Sequence, residues 1–433
     1  MMEPGHEILK DPVHGYIKLY DHERKIVDTS VFQRLRRIKQ LTVVDYAYPG
    51  AVHTRFSHSL GVMHVAGIFT QELMDKIPGI SPDERRKYYY LMRLWGLVHD
   101  IGHGPFSHLF DDEILSRHGL DHETLGAKIV SEHPDISNTP LPEGISVESL
   151  SSMMRSGEEW PMNRAIGGSA VSEQILSYVA TGPYSADLID YLLRDSLFTG
   201  AGYGAVDWRR LIALSYPCEN RLVLDSRAED ALDSFLLARL FMFTTVYYHR
   251  TVRAFYHIAR QYLRELNAQD FFGKYIDSYA GYARLDEDVL YSEMADTRSE
   301  LGLMLLDRKN PYSTVEDKPL KIEHGLVAEY LDGESMTRSL SQAMAAKGKS
   351  LPEDAFFIDT PMIAFNPMLQ ERTVHFRDLS GDLRDRDVWE TRWGRLSEQM
   401  GVARLYIHDN YTDDRQDLKD AFLKPGTRPR TFL

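Results

Sequence analysis

The stretch GLVHDIGHGPFSH, from Gly96 to His108, sets His99, Asp100, His103 and His108 directly behind an apolar run with the composition of a protein interior. Packing alone gives no reason for imidazoles and a carboxylate there. A buried ionised carboxylate costs on the order of several kcal/mol unless it is paired, hydrogen-bonded or bound to a metal. The crowding extends outward: eight of the 17 histidines fall between His53 and His122, where an even spread would place about three.

The helical pattern around the motif sharpens this reading. SPDE upstream is a capping box, with Ser81 as the cap, Pro82 in the first turn and Glu84 reaching back, and Gly102 is expected to close the helix. His99 and Asp100 then occupy the last turn, where the partial negative charge of the helix end favours a cation. HTRFSHSLG places His58 near another helix start, and YSADLIDYLLRDSLFTG places Asp187 in the first turn of a helix begun by Ser185 and ended by Gly200. Singly, each reads as a hydrogen-bonded core histidine or a first-turn carboxylate. Together they point to metal ligation, and neutral imidazoles with carboxylates suit Fe, Mn, Zn, Ni or Co, whereas Mg prefers more oxygen.

Helical periodicity dominates from about Thr29 to Gln269. Val31, Leu35, Ile38 and Leu41 share one face, as do Leu60, Met63, Phe69 and Leu73, and a long apolar helix with a break is expected from Ala228 to Asn267. Residues 131–160 read as a long loop with at most one short helix, suited to a lid or an interface arm. Beyond Phe272 the pattern loosens into polar linkers at DRKNPYSTVEDKP and AKGKSLPED, with β-like runs at AFFIDTPMIAF, RTVHFRDL and VARLYIH. The expected fold is therefore mainly α, a helical unit over 1–271 followed by a smaller α+β lobe over 272–433.

Composition narrows the class. A chain of 433 residues, 43% hydrophobic and 26% charged, can bury a large core, and its net charge of −14 argues against a main role in gripping nucleic acid. Cys218 is the only cysteine, which excludes an intrachain disulfide and a cysteine-based zinc site. With no apolar signal core at the N-terminus and no run of about 18 apolar residues, a cytoplasmic protein is expected.

The segments HTRFSHSLGVMH, GLVHDIGHGPFSHLFDDE, DHETLG and SADLIDYLLRDS together resemble the HD-domain superfamily of metal-dependent phosphohydrolases, and within it the deoxynucleoside triphosphate triphosphohydrolase branch. The resemblance runs from about Leu9 to Arg264, with a fainter echo in the tail; the SAM domain of animal members is not expected here. It implies an HD-domain helical core in which His58, His99, Asp100 and Asp187 are the metal ligands. It further implies hydrolysis of dNTPs at the α-phosphate to deoxynucleoside and triphosphate, with Mg possible on the triphosphate.

Other site residues follow by the same resemblance. His108, Asp111 and His122 match catalytic positions, with His108 as the acid for the 5′-oxygen, and His103 joins them as a further histidine beyond the ligand set. Arg55 and Arg239 match triphosphate contacts, Tyr191 and Asp195 the sugar 3′-hydroxyl, Tyr247 the 2′ position, and Gln40 and Leu41 the sugar edge. Asp28, Gln33 and Arg36 match a regulatory guanine site taking GTP or dGTP, the preceding KDPVHGYI matches too, and His249 and Arg250 match the neighbouring pocket; such sites lie between subunits of a homo-oligomer, tetramer or dimer. Departures weaken parts of the carry-over: Leu188 replaces a lysine, Ser185 an aspartate and Ala231 a polar residue. The alternatives are an HD phosphohydrolase of another nucleotide (a monophosphate, a cyclic nucleotide or (p)ppGpp) or of single-stranded nucleic acid, and a nucleotide-gated scaffold without turnover. The basic run Arg34, Arg36, Arg37 and Lys39 would, on composition alone, be a solvated helix face.

Overall fold

The computed structural model describes residues 5–155, 173–218, 221–320, 333–361, 373–378, 380–387 and 401–423. At its centre lies the helix Arg55–Met74, buried on almost every side, which packs between the helices Pro82–Val98 and Ala186–Thr199. An all-round apolar helix belongs inside, and these neighbours supply the cover. The capping box forms as the sequence predicts: Ser81 Oγ accepts from the Glu84 amide at 3.2 Å and the Glu84 carboxylate accepts from the Ser81 amide at 3.1 Å. Ser185 caps the Ala186–Thr199 helix, and Gly200 ends it at a φ of +72°, a left-handed turn that a side chain would strain. The break expected between Ala228 and Asn267 is a π-helical turn, Phe243–Tyr247, between the helices Glu229–Met242 and Arg250–Ala268.

Several local expectations are corrected. The Val31–Leu41 face does not lie on one helix: Ser30–Gln33 is a single α turn, Arg34–Arg37 is 3₁₀, and the chain is extended at Ile38. The reason is tertiary, because Arg34 turns inward to the carbonyls of Ile101 and Leu285 at 2.9 and 3.0 Å. Gly102 does not cap its helix, which ends at Val98 with His99 as the capping residue. Instead it allows close approach: a methyl there would strike the His122 carbonyl and the Gly126 backbone. YSTVEDKPL, read as linker, is the strand Tyr312–Leu320, and the loop from residue 131 carries two short helices, Pro134–Ser137 and Val147–Ser152, before its residues from 156 on leave the described set.

The larger core draws residues from Ile17 through to Leu305, with Phe376 added. A second, small core gathers Met336, Leu340, Phe356, Leu405, Ile407, Leu418 and Phe422 around the antiparallel sheet Tyr312–Leu320, Gly401–His408 and Phe356–Asp359. His257 joins the two by stacking on Phe357 at 3.7 Å, and Arg253 pairs with Asp359 at 2.6 Å. The β-like runs of the tail thus appear as strands, Thr373–Arg377 among them; the ends of AFFIDTPMIAF and RTVHFRDL lie outside the described residues. Thr373–Arg377 returns to the first unit, pairing in parallel with Arg221–Asp225. A two-stranded antiparallel hairpin, His6–Asp11 and Gly15–Tyr20, precedes the helices. Among the described residues no helix is long and apolar enough to cross a membrane.

The close approach at Gly102 yields a test. Gly102→Ala should lower the stability of the protein by about 1–3 kcal/mol, the usual cost of overpacking, read as a lower urea midpoint at unchanged slope. An unaltered midpoint would show that the loop yields freely.

Candidate metal centre

Three helix ends meet at one point. His58 comes from the first turn of Arg55–Met74, His99 caps Pro82–Val98 with Asp100 just beyond it, and Asp187 lies in the first turn of Ala186–Thr199. One ligand atom from each of His58, His99 and Asp187 lies within 4.8 Å of the others. His58 Nε2 stands 2.9 Å from Asp187 Oδ1 and 3.7 Å from Asp100 Oδ2, and His99 Nε2 stands 3.4 Å from Asp100 Oδ1. His99 Nδ1 is held at 2.8 Å by the Gly96 carbonyl, while its buried Nε2 has no hydrogen-bond partner among the described residues. That orphaned nitrogen, facing two carboxylates, fits a divalent cation. Burial works against a charged His58, yet the hydrogen bonds its ring donates to the Asp187 and Asp190 carboxylates raise its imidazole to about 10. A site that holds a proton so firmly is one in which a cation would take the proton's place.

Asp100 also receives Arg55. Burial opposes its ionised form, but the Arg55 guanidinium, with His99 and His103, holds its carboxyl well below the usual range. Arg55 in turn donates from Nε to Ser107 Oγ at 2.8 Å. Phe106 and Ser107 both have positive φ, 62° and 58°, a conformation costing side-chain-bearing residues about 1–3 kcal/mol each. The strain bends GPFSH back so that Ser107 meets Arg55.

A second cluster, His103, His108, Asp111 and His122, lies alongside, its ligand-type atoms again within 4.8 Å of one another. His122 Nδ1 bonds Asp111 at 2.5 Å and stacks on His103 at 3.7 Å; His108 Nδ1 is 3.4 Å from Asp111 and its side chain is 66% exposed, toward the opening. Burial and the nearby Arg55 and His122 push His103 well below the usual imidazole range, so it is neutral, whereas Asp111 raises His122 against its burial. Asp111 itself is kept ionised, against burial, by bonds from His108 and His122. Both clusters open on one cavity of about 340 Å³, also lined by Gln40, Arg55, Trp95, Met153, Met154 and Tyr191.

The remaining sequence-chosen residues divide. Gln40 faces the cavity with a buried Oε1 that has no partner among the described residues, and Leu41 packs on the core beside it. Asp195 and Tyr247 lie off the cavity, bonded together at 2.6 Å, and Asp195 also bonds His53 at 2.8 Å. Arg239 is buried and bonds Tyr191. Asp28 is exposed, Gln33 accepts from Arg36 at 2.7 Å, and Arg36 lies 3.5 Å over the Phe56 ring. His249 caps the Arg250–Ala268 helix, edge-on to Tyr48, with Arg250 exposed beside it. Sequence reading missed Asp190, which bonds His58 Nδ1 at 2.8 Å. Its signal was present, since Asp187, Asp190 and Arg194 recur at helical spacing in DLIDYLLRD.

The basic run is a solvated face only in part: Arg36 and Arg37 are exposed, but the run is tied into the fold. Arg34 is fully buried, Arg37 pairs with Asp286 at 2.5 Å, and Lys39 bonds Asp45 at 2.8 Å while its amide donates to Glu287 at 2.9 Å. Burial, only partly offset by Lys39, raises the Glu287 carboxyl to about 7.

Two expectations follow. Asp187→Ala, at the most exposed of the four candidate ligands, should lose bound metal in elemental analysis while keeping its circular dichroism; full metal content would remove Asp187 from the centre. Because the folded Glu287 binds its proton more tightly than the unfolded one, stability should fall as pH rises from 4.5 through 7, by up to about 3 kcal/mol. Glu287→Gln, which keeps the acceptor for Lys39, should flatten that part of the urea-midpoint profile.

Comparison with known proteins agrees with the geometry. Residues 55–173 match the HD domain family model and residues 206–301 the HD associated region. The chain is 30% identical over 314 residues to an uncharacterized protein of Methanocaldococcus jannaschii, covering 71% of this chain and 59% of that one. It is 35% identical over 233 residues to the deoxynucleoside triphosphate triphosphohydrolase SAMHD1 of Gallus gallus, covering 49% of this chain and 37% of that one. The chain thus spans between about a third and three-fifths of the curated relatives named here. In fold it resembles a hypothetical protein from Aquifex aeolicus with a TM-score of 0.72 at 24% identity, covering 96% of this chain and all of that one. A phosphohydrolase from Bacteroides thetaiotaomicron has a TM-score of 0.68 at 23% identity, covering 93% of this chain and 99% of that one. With the histidine–aspartate motif, the helical frame that gathers it and these matches in agreement, the chain belongs to the HD-domain superfamily.

Proposed function

We propose that this protein hydrolyses deoxynucleoside triphosphates at the α-phosphate, giving deoxynucleoside and triphosphate, and that a guanine nucleotide activates it. One observation carries the reading: a single cavity is faced by the His58, His99, Asp100 and Asp187 donor set, by Arg55 and by the exposed His108. The similarity to SAMHD1 supports the choice of substrate.

In this reading His58, His99, Asp100 and Asp187 hold a divalent transition metal, Fe, Mn, Zn, Ni or Co, with Mg on the substrate triphosphate. Such an ion, when bound, polarises the phosphorus and lowers the pKa of water. The chain's own residues supply the rest. Arg55 gives the cavity a fixed positive charge beside the ligands, which an anionic phosphate needs in so acidic a protein. As water attacks the α-phosphorus and the bond from phosphorus to the 5′-oxygen breaks, His108, oriented by Asp111 and reaching the opening, donates its proton to that leaving oxygen, and the proton of the attacking water passes to solvent. His122 fixes Asp111, and His103 stacks on His122 behind it. Gln40 offers its unpartnered Oε1 and Tyr191 its hydroxyl to the sugar, Leu41 packs at the sugar edge, and Asp195, Arg239 and Tyr247 brace Tyr191 from behind.

Asp28, Gln33 and Arg36 would form the guanine site, the carboxylate reading the base's amino edge and the guanidinium already held flat on Phe56. His249 and Arg250 would serve the neighbouring nucleotide in a homotetramer or dimer. The division of the chain at 271 is retained as a working boundary between the catalytic unit and the tail.

The decisive experiment incubates Mn-loaded protein with each dNTP, with and without GTP or dGTP, and separates products by ion exchange. Triphosphate and deoxynucleoside are expected, with stimulation of several-fold or more by the guanine nucleotide that is absent in Asp28→Ala. Pyrophosphate with a nucleoside monophosphate would replace the reading by a pyrophosphohydrolase, and equal rates without activator would remove the regulatory site.

A further inference from the structure

The His58 ring is not held by its own helix. Its Nδ1 bonds Asp190 Oδ2 at 2.8 Å, and Asp190 is wholly buried. The Asp190 carboxylate is bonded on every side: Oδ2 also accepts from Arg194 Nε at 2.9 Å, and Oδ1 accepts from Arg194 at 2.9 Å and from His14 Nε2 at 2.6 Å. Gly61 leaves room for this, since a methyl there would overlap both the carboxylate and the Arg194 guanidinium. Arg194 is anchored in turn by Asp11 at 2.9 Å.

His14 is the one direct partner of Asp190 that comes from outside the helical core. It lies in the turn between the strands His6–Asp11 and Gly15–Tyr20, where Asp11 Oδ1 accepts from the Val13 amide at 2.9 Å and the His14 amide at 2.8 Å. Its side chain is 1% exposed, with His64 on one side at 5.4 Å between ring centres and Trp208 edge-on at 6.1 Å. The turn therefore sets the ring, and the ring meets one oxygen of the carboxylate whose other oxygen holds His58.

We infer that His14 is a positioning residue for the metal centre: by fixing Asp190 it fixes the His58 imidazole with Nε2 turned toward Asp100 and Asp187. A ligating histidine whose other ring nitrogen donates to a carboxylate has both its tautomer and its orientation set. Arg194 holds both oxygens of Asp190 in a fork, and His14 fills the remaining acceptor position of Oδ1, so the carboxylate that meets His58 is fixed from the hairpin as well as from its own helix. The N-terminal hairpin is then part of the metal site, although its nearest residue touches no ligand directly.

The inference rests on the metal-centre reading, and its test separates the two. Mn²⁺ affinity is measured by chelator competition on the full chain for the wild type and for His14→Ala, His14→Asn and His14→Gln, with thermal unfolding in chelator as the check on folding. Glutamine places an amide donor where Nε2 stands, and asparagine falls short of it. Alanine and asparagine should weaken Mn²⁺ binding about tenfold, and glutamine should restore most of it. If alanine does not fold, the asparagine and glutamine pair decides. Equal affinity in asparagine, glutamine and wild-type proteins, or equal loss in both variants, overturns the role of His14. A wild type that binds no Mn²⁺, Zn²⁺ or Fe²⁺ overturns the metal-centre reading instead.

Discussion

A carboxylate taken wholly out of water must be surrounded by donors or it will not ionise, and the centre of this protein is arranged around one such group. Asp190 has every lone pair filled, by Arg194, His14 and His58, and the resulting field holds its carboxyl well below the usual range despite burial. Three structural units are thereby bound to one another: the hairpin, the central helix and the Ala186–Thr199 helix. Burying several charges together is a poor source of stability in itself. What it supplies is a single arrangement, because no member can move without stranding another.

The same logic explains what the sequence disclosed. Features that depend on a few neighbouring residues were readable: the Ser81 and Glu84 box, the Ser185 cap, the Gly200 stop and the break before Arg250. The density of histidine and aspartate around Gly96–His108 was readable as well, because imidazole and carboxylate behind an apolar run demand an explanation. Features that depend on a distant partner were not. Arg34 looks like any surface arginine until the carbonyls of Ile101 and Leu285 are placed beside it, and KDPVHGYI gave no sign that its histidine reaches Asp190. YSTVEDKPL has the polar composition of a linker, and only the register against Gly401–His408 makes it a strand.

Family likeness and physical site also have different edges. The HD domain match stops at residue 173, yet Asp187 and Asp190 follow it and His14 precedes it. The donor set is complete only when the hairpin, the matched region and the Ala186–Thr199 helix are present together. The supporting charges thus extend beyond the matched residues on both sides.

The clasp between residues 34–39 and the start of the Glu287–Thr297 helix carries a consequence for how the chain assembles. Arg34 to Leu285 and Lys39 to Glu287 close loops of 251 and 248 residues, and Gln40, on the cavity wall, follows directly. Contacts so far apart along the chain form late, after the loop entropy between them has been offset by other packing. Gln40 is thus made before the histidines it will face, but the partners that seat its segment, Leu285 and Glu287, are made well after them. A ribosome must deliver about two-thirds of the polypeptide before that clasp can close, so the newborn protein carries this stretch of cavity wall unfastened through most of translation.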